Sequence, residues 1–184
     1  MADQFLRSCF DGDLEGVQEA LHLGADVNCQ DHFGKTGLMR ALNTPNTAVA
    51  TFLMEQKGID VNIVDNDGRC AMHFASKHDE NCDCLALILG RTDITKVNKK
   101  TLTGLTPLMT AIRCRASRCI ELLISDARTD PNIMVGMGTH DGNSPIMWAV
   151  KMNYERGVEI LLADPRVDLF TRDNYRRSQA ETDK

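Results

Sequence analysis

Large rings are scarce in this chain: aromatic residues make up 5% of its 184 residues, and Trp148 is the single tryptophan. A core without them is laid down in thin layers of Leu, Ile, Val, Met and Ala, and an apolar content of 42% suffices for a substantial one. No apolar run approaches the roughly 18 residues that cross a bilayer as a helix. The start, Met1-Ala2-Asp3-Gln4, lacks the basic residues and apolar stretch of a secretory signal. No disulfide framework is visible, because the seven cysteines are odd in number and scattered through predicted helices; they read as reduced thiols of a cytoplasmic or nuclear protein. Positive charge is also in deficit, and a net charge of −5 speaks against general affinity for nucleic acid or anionic membrane. Catalytic signatures are missing: there is no Gly-x-Ser-x-Gly elbow, no His-Glu-x-x-His helix and no paired-carboxylate arrangement. Gly136-Met137-Gly138 has neither the flanking strand nor the later glycine and helix of a phosphate loop. His73, His78, Cys82 and Cys84 lie within twelve residues, but their spacing fits no closed zinc pattern. Neither an enzyme, a cofactor nor a metal is expected.

What the chain has instead is repetition. Asp31-His32-Phe33-Gly34-Lys35-Thr36-Gly37-Leu38 returns as Asp65-Asn66-Asp67-Gly68-Arg69-Cys70-Ala71-Met72, as Thr103-Gly104-Leu105-Thr106-Pro107-Leu108 and as Asp141-Gly142-Asn143-Ser144-Pro145-Ile146. The glycines are 34, 36 and 38 residues apart. A second phrase precedes each unit, as Asp26-Val27-Asn28, Asp60-Val61-Asn62, Val97-Asn98 and Asp130-Pro131-Asn132. Such a period predicts a stacked solenoid, which works by offering surface. Within each unit the glycine suits a turn, and Thr36, Thr106 and Ser144 are placed to cap a helix. Pro107 and Pro145 stand at first helical positions, where a missing N–H costs nothing. Two short apolar helices follow, the second marked by Val49, Phe52 and Leu53 or by Ile120, Leu123 and Ile124.

These phrases resemble those of ankyrin repeats, whose unit opens Asp-x-x-Gly-x-Thr-Pro-Leu-His and closes Gly-Ala-Asp-Val-Asn. Gly24-Ala25-Asp26-Val27-Asn28 matches the closing phrase in full, and Thr106-Pro107-Leu108-Met109 nearly matches the opening. The resemblance implies an all-α solenoid of helix-turn-helix units joined by β-hairpin loops. It divides the chain into an amino-terminal capping repeat (1–30), full repeats at 31–64, 65–100, 101–138 and 139–172, and a stub at 173–184. Because the last unit stops before its helices, the chain is expected to be a piece of a longer protein. His stands at the family's Pro-Leu-His position once, as His73, where it should hydrogen-bond turn backbone; Leu6, Met39, Met109 and Met147 replace it elsewhere. Repeat-closing asparagines of the family can be hydroxylated, which marks Asn28 and, next, Asn62.

The family's phase also implies a binding face, a concave groove lined by hairpin tips and first helices. One groove column reads Arg7, Arg40, Phe74, Thr110 and Trp148; the next, three residues on, reads Phe10, Asn43, Lys77, Arg113 and Lys151. Together they hold five cations, three aromatics and no acid, against a net charge of −5. From Asn132 to Gly142 the loop is ten residues, where the other three span six, and it carries Met134 and Met137. Met adapts its shape to partners. The expected ligand is a partner protein or extended peptide, acidic with apolar residues, held by Trp148 and Phe74 and selected by Arg40, Lys77, Arg113 and Lys151. The array is expected to be monomeric, serving as adaptor, scaffold or targeting region, or alternatively as the amino-terminal regulatory part of a longer enzyme.

Overall fold

The computed structural model describes residues 1–44, 47–134 and 142–170. Among them ten α-helices fall into five antiparallel pairs: α1 (Ala2–Asp11) with α2 (Leu14–His22), α3 (Gly37–Ala41) with α4 (Thr47–Met54), and α5 (Ala71–Ala75) with α6 (Cys82–Leu89). Then come α7 (Pro107–Cys114) with α8 (Ser117–Ser125) and α9 (Pro145–Lys151) with α10 (Glu155–Leu162). First helices stack as α1, α3, α5, α7, α9 and second helices as α2, α4, α6, α8, α10, so among the described residues the main contacts of each layer are with its neighbours. No β-strand forms among the described residues; the bridge between Gln30 and Thr36 is isolated.

Local chemistry accounts for these starts and turns. Thr36 Oγ1 and Thr106 Oγ1 each accept the N–H three residues on, from Met39 and Met109 at 3.3 Å. Each thereby satisfies an amide that lacks a partner in the first helical turn. Ser144 occupies the same position before α9, but its hydroxyl caps nothing, and Pro145 alone sets the start. In the turns, Asp31 Oδ1 accepts the N–H groups of Phe33 and Lys35, both at 2.8 Å, while Asp65 Oδ1 accepts those of Asp67 and Arg69. The third turn replaces the carboxylate by a hydroxyl, Thr101 Oγ1 accepting from Leu105 N at 3.0 Å. Gly34 has φ 76°, and a Cβ there would lie 2.9 Å from the Asn66 amide nitrogen, so both the turn and the neighbouring layer require glycine.

Adjacent layers are fastened on two edges. The closing asparagines bridge with both side-chain atoms. Asn28 Nδ2 donates to Gly58 O and its Oδ1 accepts from Asp60 N; Asn62, Asn98 and Asn132 repeat the pattern one layer on. On the other edge, the longer linkers that depart from Gly-Ala-Asp carry Arg91, Arg128 and Arg166. Each reaches back to a carbonyl of the previous layer, respectively Ile59, Leu89 and Ile124, and each is held by an aspartate two residues away. Leu89 and Ile124 are among the last residues of α6 and α8, whose final carbonyls lack intrahelical partners and carry the negative end of the dipole, so a guanidinium suits them.

Candidate functional site

The groove is floored by α3, α5, α7 and α9 and walled by the turns at Gly34, Gly68 and Gly104. Apart from exposed Arg7, column one is buried or half-buried between layers. Thr110 is buried, with its hydroxyl on Thr106 O at 3.0 Å. Phe74 is 1% exposed, so the expected aromatic contact at this position is corrected: its ring does not reach the surface. The cause is a roof of cations. Lys77 Nζ, Arg69 Cζ and Lys35 Nζ lie 4.7, 5.2 and 6.0 Å from the ring centroid. A cation over an aromatic face is attracted by the ring quadrupole. Lys35 and Arg69 escaped the sequence reading because they sit on turns, outside the two helical columns.

Arg40 is likewise corrected as a free cation. Its Nε reaches Asp31 Oδ2 at 2.9 Å with Nη2 on the same oxygen, so its charge is already paired. Arg7 is exposed and pairs with Asp11 at 3.5 Å. Trp148 is half-buried, packed on Leu105 and Met109 together with Ile133, and its Nε1 donates to Met152 Sδ at 2.8 Å. Met134 is half-buried, its carbonyl accepting from Lys100 Nζ at 3.1 Å, whereas Met137 lies outside the described residues.

Column two is the open one. Arg113 and Lys151 are exposed, and neither has an ion pair among the described residues. Lys77 is half-buried with only the neutral Asn43 Oδ1 as partner, at 2.7 Å. Burial first, and then the charge of Arg69, hold the Lys77 ammonium below its ordinary value, with Lys35 and Arg113 adding to the shift. A cleft of about 260 Å³ opens here between the second and third turns, lined by Arg69 with its partner Asp67, by Lys77, Arg113 and Thr103, and rimmed by Leu102. A larger hollow of about 680 Å³ lies between α8 and α10 on the opposite face. Its charges answer one another, Arg156 pairing with Glu121 and Glu159, and Arg166 with Asp164.

His73 borders the groove but does not act in it. Its Nδ1 accepts the Cys70 N–H at 3.2 Å, and its Nε2 lies 3.1 Å from Leu105 O and so carries the proton. Burial pushes it down to about 4, leaving the ring neutral at pH 7. The His and Cys residues close in sequence are separated in space: Cys84 contacts Thr51 Oγ1, while Cys82 meets Cys119 of the next layer with Sγ atoms 3.4 Å apart. Asp79, Cys82 and Cys119 form the one group of donors close enough to share a metal ion among the described residues. Cys119 Sγ also lies 3.4 Å from His78 O, a bond that its thiol form donates, and burial raises the pKa of both cysteines. The hydroxylation candidates Asn28 and Asn62 are tied at both side-chain atoms, so modifying either requires its release from the ladder.

Comparison with known proteins agrees with this architecture. A family profile for ankyrin repeats, in three copies, matches residues 5–98 and 79–173. An ankyrin repeat protein of Rickettsia bellii is 30% identical over 131 residues, 68% of this chain and 36% of that protein. The vaccinia virus protein named Inhibitor of Apoptosis OPG037 is 31% identical over 96 residues, covering 51% of this chain and 20% of its own length. Mouse inversin is 30% identical over 126 residues, 67% of this chain and 11% of inversin. The chain thus spans about a third or less of the length of these relatives.

Proposed function

The chain belongs to the ankyrin-repeat family, and from that premise we propose that it is a non-catalytic module that binds a partner protein or extended peptide through its concave groove. Ankyrin repeats are general protein-interaction modules, and as a fold they serve binding rather than catalysis. One observation supports the groove over the opposite face: Lys77, Arg113 and Lys151 lack ion-pair partners among the described residues, whereas the charges around the α8–α10 hollow are paired with one another. Unpaired cations in a chain of net charge −5 favour an acidic segment and hasten its encounter. Half-buried Trp148, packed with Ile133 on Leu105 and Met109, offers the apolar contact at the far end.

The test compares captured partners for the wild type, an Arg113→Ala/Trp148→Ala variant and an Arg156→Ala/Glu121→Ala variant, each first shown by circular dichroism to unfold cooperatively. Loss of a partner from the groove variant alone is expected. Loss from the outer-face variant alone would move the site to α8 and α10.

A further inference from the structure

The cleft between the second and third turns has more built into it than a generally basic groove requires. Three cationic side chains are gathered over one ring, Lys77, Arg69 and Lys35 at 4.7, 5.2 and 6.0 Å from the Phe74 centroid, and Arg113 stands across the cleft on α7. Like charges so placed repel; burial is the main reason that Lys77 holds its proton less tightly, and the charges of Arg69, Lys35 and Arg113 add to it. Only Arg69 is neutralised from within, by Asp65 at 2.7 Å and Asp67 at 2.6 Å. Two positive groups that line the cleft, Lys77 and Arg113, are therefore left without a counter-charge among the described residues.

The opposite wall supplies a neutral donor. Thr101 Oγ1 accepts the Leu105 N–H at 3.0 Å and lies 2.9 Å from Thr103 Oγ1. The two hydroxyls share one hydrogen bond in either direction, and whenever Thr101 donates, the Thr103 proton is available to a ligand in the cleft that Thr103 lines. Thr110, by contrast, is committed to the Thr106 carbonyl. Lys77, just past the end of α5, Arg113 on α7 and Thr103 in the third turn thus border one volume of about 260 Å³. Two cations and one hydroxyl match the two negative charges and three terminal oxygens of a phosphate monoester, which a carboxylate would only half satisfy. Leu102, 79% exposed at the rim, is positioned to cover an apolar residue flanking the anion.

Resting on the groove reading above, we propose that this cleft receives a phosphorylated serine or threonine side chain on the partner segment, with Lys77, Arg113 and Thr103 as its donors. Binding would bring a dianion to cations that now repel one another, which makes phosphorylation of the partner the event that strengthens the complex.

The test uses the isotopically labelled full chain and three degenerate heptapeptide pools, with phosphoserine, glutamate or serine fixed at the centre. Inorganic phosphate and a single-stranded oligoribonucleotide serve as further probes. The phosphoserine pool is expected to shift the amides of residues 101–105 and 110–113 and to bind about tenfold more tightly than the glutamate pool. Arg113→Gln, at an exposed position that does not threaten the fold, should abolish that preference, and Lys57→Gln, exposed beyond the end of α4 and outside the groove columns, should leave it intact. Inorganic phosphate should shift the same amides more weakly. Equal binding of the glutamate and phosphoserine pools would overturn the phosphate assignment and leave the acidic groove standing. Shifts confined to α8 and α10 would overturn both. An oligoribonucleotide that matched the phosphoserine pool at these amides would overturn the peptide as ligand.

Discussion

His73 shows what a single side chain does when both of its nitrogens are committed. The ring accepts from Cys70 N and donates to Leu105 O, linking the start of α5 to the next turn, and burial holds its pKa at about 4. In the unfolded chain the same ring takes up a proton near its ordinary 6.5. Stability is therefore complete above pH 6.5 and is lost as the pH falls towards 4, because the unfolded state binds the proton first. The gap corresponds to about 3 kcal/mol. Urea unfolding at a series of pH values should show this loss, and His73→Gln should remove most of the dependence in that window; an unchanged pH profile in the variant would refute the assignment. Gly37 is a second case. It replaces the family's proline because Phe5 and Cys9 of the first layer press on it, a Cβ there lying 2.7 Å from Phe5 Cε1 and 2.9 Å from Cys9 Sγ. Restoring the family residue with Gly37→Pro should lower stability by about 1–3 kcal/mol through overpacking, read as a lower urea midpoint. A gain would show that Phe5 yields.

At the scale of the element, helix starts follow rules readable in advance and layer-to-layer ties do not. Thr36 and Thr106 cap as their spacing predicts, and Thr106→Ala should cost about 1 kcal/mol by thermal unfolding. Ser144 at the same position does not cap, so Ser144→Ala should cost far less; similar losses for the two would contradict this contrast. The asparagine ladder is a tie of two bonds per residue. Asn98 donates to Arg128 O at 2.7 Å and accepts from Asp130 N at 3.0 Å. Asn98→Ala should cost about 1–3 kcal/mol, and Asn98→Asp, which keeps the acceptor alone, should fall between. The arginines at 91, 128 and 166 are the other tie. Their linkers are visible in the sequence as departures from Gly-Ala-Asp, but which carbonyls they meet depends on a layer some forty residues earlier, Arg128 on Leu89 and Arg166 on Ile124.

For the whole molecule, a column of layers whose main contacts are with their neighbours makes one continuous core from Phe5 to Leu161. Ile112 is fully buried in its middle layer, and Ile112→Ala should cost about 2–5 kcal/mol while leaving one unfolding transition. A split transition would mean that the layers unfold separately. Charge acts at this scale as well. If Lys77, Arg113 and Lys151 draw the partner in, raising salt from low to physiological strength should slow association more than it speeds dissociation. Affinity independent of salt would remove the cations from the mechanism.

The sequence by itself determined the repeat, the helix starts, the turn glycines and the face that each first helix turns to its neighbours, because all of these follow from spacings inside one unit of about thirty-four residues. It also set Lys77, Arg113 and Lys151 in one column of side chains three residues beyond the first. Tertiary structure alone decided which residues of that face remain open. Phe74 lies under cations from positions 35, 69 and 77, and Arg40 is matched to Asp31 across a turn. Cys82 finds Cys119 rather than its sequence neighbour Cys84. Exposure and pairing are set by what the next layer brings, and a pattern read within one repeat does not contain the atoms of another.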